Sequence, residues 1–198
     1  MNSVDITNIL RDNIVTKKCF YGVCASDQMI KTRKRPYCFI ANTDPAGENG
    51  EHWTCWFITK NNVVYFLDSF GRSPYSTLFP VSFREFINKR RFKYNPRVLQ
   101  PLNGVTCGQY CIFAIFYLCL NVDLKSIYDY FTDDLHYNDD IVLQFINQIY
   151  LCVFYLVIRK INKCVESRID TYIHNYLNNR IRLGENKPKL TFNFFKIS

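Results

Sequence analysis

The runs HWTCWFITK and VVYFLDSFG, residues 52–60 and 63–71, meet at Lys60-Asn61-Asn62. Both are rich in β-branched and aromatic residues, which favour strands. Asparagine at the junction tolerates the backbone angles of a tight turn. The pair predicts an antiparallel hairpin, and this constrains the chain more than any other feature. Antiparallel neighbours bring their ends together, so His52, which opens the first strand, can meet Asp68, which ends the second.

PYCFIANTD (36–44) reads as a further strand running into a turn, and DPAGENGE (44–51) has the glycines and proline of a loop. A helix is expected over 3–15, capped by Ser3, with Ile6, Ile9, Leu10 and Ile14 on one face. Further helices are expected over 82–91, 107–120, 124–131, 139–158 and 161–182. Residues 94–105 read as irregular around Pro96, Pro101 and Gly104, and GENKP (184–188) as a loop before the apolar LTFNFF. Strands and helices are largely segregated along the chain, which argues for an α+β fold over a doubly wound sheet. No internal repeat is found. A length of 198 residues suits one domain, with a core over about 1–150 and a helical C-terminal part over about 151–198.

IVLQFINQIYLCVFYLVI (141–158) is interrupted by Gln144, Asn147 and Gln148. Its purely apolar remainder falls short of the ~20 residues that cross a bilayer. A buried helix is expected there, and no membrane partner.

Nine cysteines open several chemistries. The start MNSVDITNILRDNIV lacks the charged-then-apolar layout of a secretion signal. Reduced thiols in an intracellular compartment are therefore expected, and an odd count forbids a complete disulfide set. There is no CxxC and no histidine at finger spacing, so a metal site is not expected. Lysine and arginine total 25 against 17 acidic residues, a formal charge of +8. The excess gathers at Lys31, Arg33, Lys34, Arg35 and at Lys89, Arg90, Arg91, Lys93. Such clusters suit a polyanion such as DNA, and equally a solvated basic face.

LNGVTCGQYCIFAIFYLCL (102–120) sets Cys107 where a loop becomes an apolar helix. Helix N-terminal amides favour a thiolate, and an imidazolium nearby lowers a thiol pKa from about 8.5 into the range ~3.5–7.5. A cysteine nucleophile needs a base, and the histidines are His52, His136 and His174. His52 is the choice, because Asp68 on the same hairpin would fix its tautomer and stabilise imidazolium. Gln100, seven residues before Cys107, could hold an oxyanion together with the Cys107 amide. Gly108 removes a side chain beside the thiol, which would let a substrate backbone approach. Singly, each residue has a plainer reading: a small buried thiol, a structural histidine, a turn aspartate, a surface amide. The ordered set carries the inference.

That set resembles the adenovirus maturation protease family, adenain and its relatives in Polinton/Maverick-type elements and related DNA viruses. The resemblance covers residues 19 to about 120. IANTDPAGENGEHW is similar to the family's Asn-Thr, glycine-rich loop and His-Trp. YFLDSFG resembles its acidic and Phe-Gly segment, and QPLNGVTCGQYC its Gln-to-Cys block with the same gap. It implies catalytic His52, third member Asp68, oxyanion residue Gln100 and nucleophile Cys107. It further implies a papain-like α+β fold in adenain-type chain order, with a central mixed sheet flanked by helices. The implied activity is a cysteine endopeptidase acting on viral or element-encoded precursor proteins during virion maturation, in a host nucleus or virion. No cofactor is implied for the chemistry itself, although the family draws on an activating peptide and DNA. Adenain has Glu where this chain has Asp68, and residues 72–99 hold no cysteine to bond such a peptide. Peptidases of SUMO and ubiquitin-like modifiers share the motif set and use Asp. Phe70-Gly71 and Asn42-Thr43 favour the viral reading. A catalytically silent, basic nucleic-acid-binding protein is the alternative from another class.

Overall fold

The computed structural model describes residues 1–161. The chain divides into two compact units, Met1–Val153 and Phe154–Ser198, and the first contains the sheet and the site residues described below. Its elements run α1 (Ser3–Asp12), β1 (Phe20–Cys24), β2 (Tyr37–Asn42), β3 (Trp53–Ile58), β4 (Val64–Leu67), α2 (Val81–Ile87), β5 (Phe92–Tyr94), α3 (Cys107–Cys119) and α4 (Leu124–Asp129). The last, α5 (Leu135–Ile161), continues past Val153.

The five strands form one mixed sheet in the order β1-β2-β3-β4-β5. The expected hairpin is present: β3 pairs antiparallel with β4, Ile58 opposite Val64 and Cys55 opposite Leu67. β2 lies antiparallel on the other side of β3, from Tyr37 opposite Ile58 to Asn42 opposite Trp53. The outer strands β1 and β5 are both parallel to their neighbours. The fold is thus α+β, a central mixed sheet flanked by helices.

Alternation sorts the strand residues onto two faces. Cys38, Ile40, Cys55, Phe57 and Leu67 join the core made with α1, α3, α4 and α5. Tyr37, Phe39, Trp56, Ile58 and Phe66 face the other way, onto Phe79 and onto Phe83 and Phe86 of α2. Trp56 is the hub of that second core, with ring contacts to Phe39, Phe66, Phe83 and Phe86 at 4.7–5.9 Å. Each such fully buried large side chain contributes about 1.5–3 kcal/mol. α3 is buried on nearly its whole circumference and packs on β3. Its apolar sequence is that of an internal helix.

Several expectations are corrected. The cap of α1 is Asn2, not Ser3: Asn2 Oδ1 accepts from the Asp5 N–H at 2.9 Å, and Asp5 accepts in return from the Asn2 N–H. That reciprocal pair places the cap one residue earlier, while the helix itself begins at Ser3 as expected. The helix stops at Asp12, so Ile14 lies beyond it and is 65% exposed. The helix expected over 82–91 ends at Ile87, where Lys89 adopts φ 63°, and the chain turns into β5. β1 and β5 were not expected. β1 is broken by Gly22 at φ 141° and a register shift, and β5 is three residues inside a basic run. α5 starts at Leu135 rather than 139 and is continuous through Ile161. The helix over 161–182, the 184–188 loop and the apolar tail lie outside the described residues. No described helix is long and apolar enough to cross a membrane.

Candidate active site

The open end of the hairpin brings His52 and Asp68 together. His52 Nε2 lies 2.6 Å from Asp68 Oδ1, with both residues buried. Cys107, the first residue of α3, interacts with the same imidazole. Three sequence-distant residues thus meet at one place. The Phe70 ring, 4.9 Å from the imidazole, packs beside it.

The electrostatics follow from this series. Burial opposes charge on His52, yet its hydrogen bonds to Asp68 and Cys107 outweigh that cost and raise its pKa above the ordinary imidazole value. Burial also disfavours the Cys107 thiolate. The hydrogen bond and charge of His52, helped by the backbone N–H groups of Trp53 and Gly108, overcome it and hold the thiol below its ordinary value. Six other cysteines behave oppositely: Cys38, Cys55 and Cys111 are pushed up, and Cys24 is pushed up to about 11, chiefly by burial, while Cys19 is raised first by its hydrogen bond with Cys119 and Cys119 is raised by Cys38 and burial against the opposing bond to Cys19. Cys107 is the described thiol poised to ionise.

Asp68 is held from several sides. Arg72 Nε donates to Asp68 Oδ2 at 2.7 Å, and the Arg72 backbone N–H donates to the same oxygen at 3.0 Å. Burial alone would raise the Asp68 pKa, but His52 and Arg72 hold it below the usual carboxylate range. The Arg72 guanidinium lies over the Phe70 and Phe79 rings, 5.0 and 4.7 Å from their centroids. Asn95 clamps the Asp68 backbone: its Oδ1 accepts from the Asp68 N–H at 2.9 Å and its Nδ2 donates to the Asp68 carbonyl at 2.8 Å. Neither Arg72 nor Asn95 was singled out in the sequence. Arg72 had a signal, a cation four residues after the candidate carboxylate. Asn95 had none, since it reaches Asp68 from 27 residues away.

Gln100 joins the same cluster through Ser69, whose hydroxyl donates to Gln100 Oε1 at 2.7 Å. Gln100 Nε2 is buried and has no hydrogen-bond partner. An orphaned buried donor costs free energy, so this one is an available N–H group in a water-poor place. The loop bearing Gln100 is tied to the Asp68 turn by the Leu99 and Gln100 N–H groups, which both donate to the Ser69 carbonyl. Gly71, at φ 71°, lets the two segments approach: a Cβ there would lie 2.6 Å from the Arg97 carbonyl. On its far side the loop is held by α5. Asn138 Nδ2 donates to the Leu99 carbonyl at 3.1 Å, and Thr106 Oγ1 donates to Asp139 at 2.6 Å.

The role expected for Gly108 is corrected. A Cβ there would meet Trp53 Cδ1 at 3.3 Å, Ile6 Cδ1 at 3.4 Å and the Met1 Cβ at 3.5 Å. That face is packed by α1 and Trp53 rather than left open to a substrate, so the glycine serves helix packing. Trp53 instead lines a cleft of about 720 Å³ together with the start of α1 and the 44–50 loop. His136 is in α5, away from the hairpin in sequence, and His174 lies outside the described residues. No group of three or more His, Cys, Asp or Glu among the described residues is arranged to hold a metal ion.

Compared with models of known protein families and with curated proteins, the chain has no match to either.

Proposed function

We propose that the protein is a cysteine endopeptidase of the adenain kind, on a papain-like fold, acting on viral or mobile-element precursor proteins. The observation that carries this reading is the buried series Cys107–His52–Asp68 with a depressed thiol pKa. Asp68 takes His52 Nε2, which leaves Nδ1 for the thiol. The resting pair is then thiolate and imidazolium, and the thiolate attacks the scissile carbonyl carbon. Gln100 Nε2 and the Cys107 N–H receive the oxyanion. His52 gives its proton to the leaving amine, then takes one from the water that hydrolyses the acyl-enzyme. Asp68 stays ionised throughout and steadies the imidazolium. Glycine and other small residues are expected next to the scissile bond, by likeness to the family.

The test is labelling by a thiol-directed peptide probe, followed by cleavage of a proteome-derived peptide library. Wild type labels and cuts, and Cys107→Ala does neither. Labelling that survives Cys107→Ala and disappears with another cysteine removes the assignment. Cleavage of a SUMO or ubiquitin reporter, with no cleavage of Gly-Gly-type precursors, transfers the reading to a modifier peptidase.

DNA is proposed as a partner, because the sheet register joins the two basic clusters. Tyr37, Ile58, Val64 and Phe92 form one row across the sheet. Arg35 lies two residues before Tyr37 and Arg91 one residue before Phe92, at the end of the sheet remote from His52 and Asp68. Arg35 and Arg90 lie over the Tyr37 and Phe86 rings, while Lys31, Arg33, Lys34, Lys89, Arg91 and Lys93 are exposed. Binding through several phosphates weakens steeply with salt. A flat salt response, or no binding at low salt, removes DNA.

A further inference from the structure

We propose that the cleft beside Trp53 selects the substrate, and that it takes an extended polypeptide segment bearing lysine or arginine. This deepens the peptidase reading and rests on it. The cleft encloses about 720 Å³ between the start of α1, the end of β1 and the 44–50 loop. Trp53 and Met1, which line it, also pack against Gly108, the residue after Cys107: a Cβ there would lie 3.3 Å from Trp53 Cδ1 and 3.5 Å from the Met1 Cβ. The cleft thus opens next to the start of α3.

Charge is the first observation. Asp5, Asp44 and Glu48 line the cleft, no Lys, Arg or His side chain does, and the cationic group on the lining residues is the α-amine of Met1. None of the three carboxylates belongs to an ion pair among the described residues. In a chain of net charge +8, an acidic wall around this cleft runs against the general surface. It attracts a cationic side chain and repels phosphate.

Asn42 is the second, independent observation. It is only 6% exposed, at the end of β2, and it lines the cleft. Its Oδ1 accepts from the Asp44 N–H at 2.8 Å, while its Nδ2 has no partner. Gly50, at φ 81°, leaves that amide uncovered: a Cβ there would sit 2.7 Å from Nδ2. A fixed donor that opens onto the wall of a cleft is placed to take an acceptor lying there, and a main-chain carbonyl of an extended segment supplies one. Carboxylates for the side chain and an amide for the backbone make a polypeptide the fitting occupant.

The test uses the full chain with Cys107→Ala, which holds a peptide without cutting it. Fluorescence anisotropy compares labelled peptides of alternating Lys and Gly and of alternating Glu and Gly. The lysine peptide is expected to bind at least about tenfold tighter, and Glu48→Lys or Asp44→Asn to erase most of that difference, the scale of a close charge pair at a partly shielded site. Glu48 is exposed at the loop tip, so Glu48→Lys remains informative where Asp44→Asn perturbs folding. Equal affinity for the two peptides, or a lysine preference untouched by both variants, overturns the proposal. Thiol-probe labelling of wild type runs in parallel. Labelled Cys107 with no charge preference sinks the cleft alone. Charge preference without labelling of Cys107 sinks the peptidase reading and the substrate role with it.

Discussion

The Ser69 hydroxyl donates to Gln100 Oε1 at 2.7 Å, and so turns the Gln100 amide with its nitrogen towards a buried place that offers it no acceptor. A carboxamide otherwise rotates freely about its last bond, and this one contact decides which end is presented. If Nε2 serves the oxyanion, Gln100→Ala lowers kcat by about 10²–10³-fold with little change in KM. Ser69→Ala, which leaves the amide unoriented, lowers kcat by less. A Gln100→Ala enzyme of unchanged kcat removes the oxyanion role.

Gly104 guards the same amide. A Cβ at residue 104 would lie 2.9 Å from Gln100 Nε2 and 3.0 Å from its Cγ, inside the distance that real Cβ atoms keep. Gly104→Ala is expected to displace Gln100 and to reproduce most of the kcat loss of Gln100→Ala. The double variant should then be no worse than Gln100→Ala alone, because both changes act on one group. Additive losses would show that the two residues act separately.

Activity should follow a bell-shaped pH profile whose limbs belong to the coupled pair. The reactive thiolate is present above the depressed Cys107 pKa, and the imidazolium is present below the raised His52 pKa. kcat/KM therefore falls on the acid side as the thiolate is protonated and on the alkaline side as His52 loses its proton. Asp68→Asn removes the charge that raises His52 and moves the alkaline limb to lower pH. A limb that stays in place in Asp68→Asn would detach Asp68 from His52 function.

Arg72 is expected to position Asp68 rather than to touch substrate. It holds the Asp68 carboxylate down in pKa, so Arg72→Gln lets Asp68 protonate at higher pH. A protonated Asp68 no longer supports the imidazolium that keeps Cys107 ionised, so the acid limb shifts upward, and Arg72→Lys, which keeps the charge without the planar fork, shifts it less. A lowered melting temperature with an unmoved acid limb would make Arg72 purely structural.

Asn95→Ala strips the Asp68 N–H and carbonyl of their partners in a fully buried place. The loss is expected to be about 2–4 kcal/mol of stability, from missing hydrogen bonds and newly unsatisfied groups. Urea unfolding measures it, and a loss under about 1 kcal/mol would mean that the turn finds other partners.

The hairpin, the loop after β2 and the apolar helix behind Cys107 were legible because each depends on local chemistry: β-branched runs, asparagine at a turn, an unbroken apolar stretch. His52, Asp68, Gln100 and Cys107 were legible as an ordered set for the same reason. β1 and β5 were not, because short parallel strands are defined by a partner far away in sequence, and neither carries an alternating pattern of its own. Asn2 and Ser3 are both good caps by residue type, and only the reciprocal bond with Asp5 separates them. The sequence by itself determined which groups are available: a thiol at a helix start, an imidazole and a carboxylate at the open end of one hairpin. Tertiary structure decided how they are held. Asn95 and Ser69 reach Asp68 and Gln100 through contacts that spacing does not encode, and packing of α1 against Trp53 closed the face of Gly108. Fixed partners then set the direction of the His52, Asp68 and Cys107 ionisations against the cost of burial, and both the partners and the solvent exclusion exist only in the folded chain.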